Sequence, residues 1–83
     1  LVEFLLNLQN RTSNSVIKTT LVKLIEKASF KVKDEENTEL KKIEKRIFEY
    51  ALFIEKDIND NNVNNFLMNA ETLEKLLDQR GNY

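Results

Sequence analysis

The chain contains no proline and one glycine, Gly81, among its 83 residues. Proline and glycine are the strongest helix breakers, so almost nothing interrupts a helix before position 81. Eleven asparagines take over the punctuation, because Asn caps helix starts and tolerates the left-handed backbone. The pattern predicts an all-α protein whose joints lie where Asn, Ser, Thr and Asp cluster.

Apolar periodicity divides the chain into four segments. The opening run LVEFLLNL places Leu1, Leu5 and Leu8 on one face and reads as the end of a helix, so the first helix is expected to be truncated. The run is too short for a membrane span and contains Glu3. Residues 10–15 break it, with Ser13 or Asn14 as the cap of a second helix from about Ser15 to Phe30. That helix carries the stripe Ile17, Leu21, Leu24, Ile25 and Ala28. An acidic joint, residues 33–38, precedes the longest segment. There Leu40, Ile43, Ile47, Ala51, Ile54 and Ile58 step by three and four, close to a heptad seam. Residues 59–62 form the last joint, with Asn61 expected as the cap. The closing helix presents Val63, Phe66, Leu67, Ala70, Leu73 and Leu77. Gly81 falls where a left-handed C-cap residue belongs.

A chain of this length supports one domain with one core. Short joints make successive helices antiparallel, so residues 1–83 are expected to form a single antiparallel up-down four-helix bundle. No fixed-period repeat emerges from comparing the segments, which argues against a solenoid.

The side-chain inventory narrows the chemistry. The chain has neither cysteine nor histidine, which removes disulfides, thiolate nucleophiles, the usual zinc sites and His-based acid–base catalysis. Paired carboxylates remain, but the 14 acids fall mostly on faces expected to be wet. Two registers of the Asn/Asp joint imitate a calcium loop. One begins at Asp57 and has Met68 at position 12; the other runs from Asp60 to Glu71 with Asn65 where the turn wants glycine. The second would also unwind the closing helix across Phe66 and Leu67, so the joint is read as caps. No cofactor, no metal site and no enzyme activity are expected.

Thirteen basic residues against 14 acidic ones give a net charge of −1, and no global field steers the chain toward nucleic acid. The densest basic patch, Lys41–Lys42 and Lys45–Arg46, is interleaved with Glu39, Glu44 and Glu49. Its field is expected to cancel largely within a Debye length.

Apolar residues off the stripes are the best partner-binding candidates. Phe53 lies about 120° from the centre of the third-helix seam. Phe48 and Leu52 lie on its other shoulder, where a wide bundle face would bury them. Phe30 points nearly opposite Leu21, and Met68 and Leu76 fall outside the best arc of the fourth helix.

The order of these segments resembles the class IIa (pediocin-like) bacteriocin immunity proteins of the enterocin A immunity family. The likeness covers about residues 15–81. It is carried by VIKTTLVKLIEKA from Val16, the acidic joint, KKIEKRIFEYALF from Lys41, and NNFLMNAETLEKLL in the closing helix. The resemblance implies a cytoplasmic four-helix bundle that protects a bacterium from its own pore-forming peptide. Its partner would be the bacteriocin in complex with the membrane receptor, the mannose phosphotransferase permease. The protein would be peripheral to the inner membrane face at most. Family specificity is assigned to the C-terminal half and tail, which here point to Leu76, Gln79, Arg80 and Tyr83, with Phe53 as a further surface. Family tails are commonly longer than the Gly81–Tyr83 that follows here. A generic helical interaction module, as a fragment of a larger regulatory or surface protein, is the alternative; a small enzyme or calcium-binding unit is a third reading.

Overall fold

Asparagine side chains start three of the four helices. In a computed structural model describing residues 1–83, α1 spans Val2–Arg11, α2 Ser15–Ala28, α3 Thr38–Asn59 and α4 Val63–Arg80. The Asn14 Oδ1 accepts hydrogen bonds from the amides of Val16 and Ile17 at 2.9 and 3.1 Å. The Asn37 Oδ1 does the same for Glu39 and Leu40 at 2.9 and 3.2 Å. Asn62 accepts from Asn65 N at 3.2 Å. Each such cap satisfies amides that no helical carbonyl can reach, and contributes about 1 kcal/mol.

The helix ends depart from expectation in three places. α2 stops at Ala28 rather than Phe30; the Ser29 hydroxyl donates to Ile25 O at 2.8 Å, competing with the backbone ladder. Asn61 is not the cap of α4, since that role belongs to its neighbour Asn62. Asn61 instead takes the left-handed conformation, φ 53°, that closes α3. Around it, Asn62 N donates to Asp57 O at 2.8 Å and Asn61 N to Ile58 O at 3.1 Å, the paired bonds of a Schellman motif. Gly81 has φ −63° and is right-handed, so the one glycine is not used for positive φ.

The helices form a four-helix bundle whose principal extent is 37 Å, close to the ~33 Å length of the 22-residue α3. Chain direction alternates. Leu1 shares a cleft with Ala28, setting α1 against α2, and Arg80 shares one with Glu44, setting α4 against α3. The order around the bundle is α1, α2, α4, α3. α2 packs beside α4, and the backbones of α2 and α3 come nowhere within 8 Å of each other. Joint 29–37 therefore crosses the bundle end diagonally instead of joining neighbours.

The core follows from that order. Leu5 and Leu8 of α1, Ile17, Leu21 and Leu24 of α2, Ile54 of α3, and Phe66 and Leu73 of α4 are fully enclosed in one cluster. Burying each such side chain contributes about 1.5–3 kcal/mol. α4 touches both α2 and α3, so its apolar arc is wide. The ten-residue α1 meets α3 only lightly.

Candidate functional site

The wide arc of α4 takes in Leu76. Expected at the surface, Leu76 is 3% exposed and belongs to the core; two flanking helices, rather than one, cover that side of α4. A side chain this enclosed offers no surface to a partner. Met68 remains exposed, as does Phe30.

Gln79, Arg80 and Tyr83 lie at the far end of α4, where they meet the diagonal joint. Gln79 is exposed, whereas Arg80 and Tyr83 are half-buried. The Arg80 guanidinium donates to Phe30 O at 2.8 Å. The backbone oxygen of Tyr83 accepts from the amides of Lys33 and Asp34, each at 3.2 Å. The tail is thus folded onto residues 30–34. Beside it, Lys27 of α2 reaches Asp78 at 2.6 Å and Glu74 at 3.5 Å on α4. The hydrogen bond to Asp78 raises the Lys27 pKa above its ordinary value, outweighing partial desolvation, and the attraction of both carboxylates adds to it.

Phe53 is not part of this end. It lies nine residues along α3 from Glu44, which lines a cleft with Arg80, a rise of about 13 Å. Phe53 is 49% exposed, and its ring meets Tyr50 edge-on with centroids 5.4 Å apart. Phe48 and Leu52, expected to be buried by a broad bundle face, are 57% and 60% exposed. The reason is the bundle order: α2 lies diagonally across from α3, and α1 meets α3 only lightly. Between α1 and α3 an open, wholly apolar groove is lined by Leu1, Phe4, Phe48, Ala51 and Leu52. The sequence supplies these residues, but whether a neighbour covers them is a property of topology.

Asp57 is a residue whose role sequence reasoning missed. At 8% exposed it is the buried charged residue of the molecule, and its Oδ2 accepts from the Asn69 amide at 2.7 Å. This bond ties α3 to α4 just behind their joint. Asp57 and Asn59 lie within α3, and Asn64 and Glu71 within α4, so both imitated calcium registers run through helix. No three carboxylates converge into a group that could hold a metal ion.

No protein-family model, curated protein or solved structure matches the chain. No helix is long and apolar enough to cross a membrane.

Proposed function

We propose that the chain is a non-catalytic bacteriocin immunity protein, acting in the cytoplasm by recognising a pediocin-like peptide in complex with its membrane receptor. One observation supports this reading. The 14-residue α2, the acidic joint, the 22-residue α3 and the 18-residue α4 coincide with the segments that carry the resemblance, and they pack as the bundle it implies. Recognition is assigned to the end of α4 and its tail, with Gln79 exposed and Arg80 and Tyr83 braced on residues 30–34.

The test is survival of a bacteriocin-sensitive lactic-acid bacterium that expresses the protein, challenged with a panel of pediocin-like peptides. Selective resistance to one or a few peptides is the expected result. Uniform sensitivity, with folded expression verified, would refute the immunity role and leave a helical interaction module as the reading.

A further inference from the structure

The face of α3 turned away from the core has an unusual composition. Between Lys41 and Lys56 its exposed residues include five cations, Lys41, Lys42, Lys45, Arg46 and Lys56, and a single carboxylate, Glu49. The other three are Phe48, Leu52 and Phe53, and no neutral polar side chain shares the face. Every remaining residue of that stretch is buried or half-buried. At 3.6 residues per turn the exposed set occupies one arc about 160° wide and about 22 Å long.

The acids that flank this arc in sequence neutralise it only in part. Glu44 is half-buried and faces the cleft that Arg80 shares. Glu39 lies one turn before Lys42 and pairs with it alone, at 3.4 Å. Glu55, on the flank, is held by Arg11 at 3.0 Å. Glu36 lies 3.9 Å from Lys41. With the Lys41 and Lys42 pairs counted, the arc keeps a surplus of two positive charges on a chain whose net charge is −1.

We propose that this face docks on an anionic lipid bilayer, with α3 lying in the plane of the surface. Phe48, Leu52 and Phe53 enter the headgroup layer, while the lysine stems lie along the apolar boundary and their ammonium groups reach the lipid phosphates. Charge complementarity selects an anionic surface. Four of the five cations are lysine, a residue depleted from protein–protein interfaces but suited to a diffuse field of charge. Phe48 and Leu52 stand on one shoulder of the arc and Phe53 on the other, about 100–140° away. A plane laid on the face therefore meets apolar groups on both sides of its cations, and these groups have no role against a phosphodiester backbone. The proposal stands independently of the immunity reading.

The experiment is flotation of the purified chain with vesicles of phosphatidylglycerol and phosphatidylcholine in equal parts, against pure phosphatidylcholine, at low salt. Binding to the anionic vesicles alone, weakened by added salt, is expected. Lys41→Gln combined with Lys45→Gln should weaken it about thirtyfold, roughly fivefold for each lysine. Phe48→Ser with Leu52→Ser should weaken it on the order of tenfold or more. Both pairs lie at exposed positions, and circular dichroism verifies their helical content. A Phe48→Trp variant should shift its emission to the blue on the anionic vesicles. Failure of the folded chain to float with them overturns the proposal. So does binding that the serine pair leaves unchanged, or retention by double-stranded DNA without vesicle binding, which would assign the face to nucleic acid.

Discussion

The inner and outer faces of α3 are built from similar apolar residues that meet opposite fates. Ile47, Ala51 and Ile54 are buried, while Phe48, Leu52 and Phe53, each one position away, stand about half or more in solvent. Side-chain chemistry does not separate the two sets. The separation comes from the number of neighbours: α4 runs the length of the inner face, α2 is diagonal, and the ten-residue α1 touches only a flank. An apolar stripe is buried when topology supplies a partner, and otherwise becomes a surface.

The largest expected contrast lies across one turn of α3. Ile54→Ala should destabilise the bundle by about 2–5 kcal/mol, because the enclosed side chain leaves a cavity. Leu52→Ala should change stability by no more than about 0.5 kcal/mol. Phe53→Ala falls between them, at about 0.5–1.5 kcal/mol, through loss of the edge contact with Tyr50. Urea denaturation of the three variants measures the order. A Leu52→Ala loss as large as that of Ile54→Ala would mean that the outer face is covered after all.

Asp57 sits where the inner face turns toward the outer, and it tests the boundary. Asp57→Ala removes the acceptor of the Asn69 amide from a site only 8% exposed. The expected cost is about 1–3 kcal/mol, the penalty of an unpaired buried donor. Asp57→Asn keeps an acceptor oxygen and should cost less. Equal losses in thermal melts would show that charge, and not the hydrogen bond, holds this edge.

How much of this was legible in the sequence depends on the range of the interaction involved. The α3 seam from Leu40 to Ile58 follows a local period, and every one of its residues is buried or half-buried. The cap at Asn14 was equally local. The angle of Phe53 sets it off the seam, but that angle alone leaves open whether the ring packs inside the bundle or stands half in solvent, as it does. The burial of Phe48, Leu52, Leu67 and Leu76 differs from expectation, because it is decided by which helices become neighbours, and no pattern within α3 or α4 encodes the diagonal crossing of joint 29–37. The tail contacts were hidden for another reason. Lys33 and Asp34 use backbone amides, and Arg80 and Tyr83 meet backbone groups, so no side-chain pairing marks the site. Asn61 and Asn62 are chemically identical, and the backbone register at the end of α3 decides which is left-handed and which caps.

That register supplies the smallest and sharpest prediction, at the joint that turns α4 onto the inner face. The same residue, alanine, should have opposite effects at the two helix ends. At Asn61 the backbone is left-handed, where a Cβ crowds the carbonyl and Asn gains from its local polar group. Asn61→Ala should therefore cost about 1 kcal/mol. At Gly81 the backbone is already right-handed, and an added Cβ would lie 3.4 Å from Asp78 O and 3.6 Å from Leu77 O, ordinary contact distances. Gly81→Ala should stabilise by about 0.4–1 kcal/mol, because the unfolded chain loses freedom that the folded chain does not use. Paired melts decide the matter. A loss at 81 would mean that the end of α4 is not right-handed there. A gain at position 61 would mean that the α3–α4 turn is not the Schellman closure described, and the rotation of α3 that separates its inner from its outer face would then need another cause.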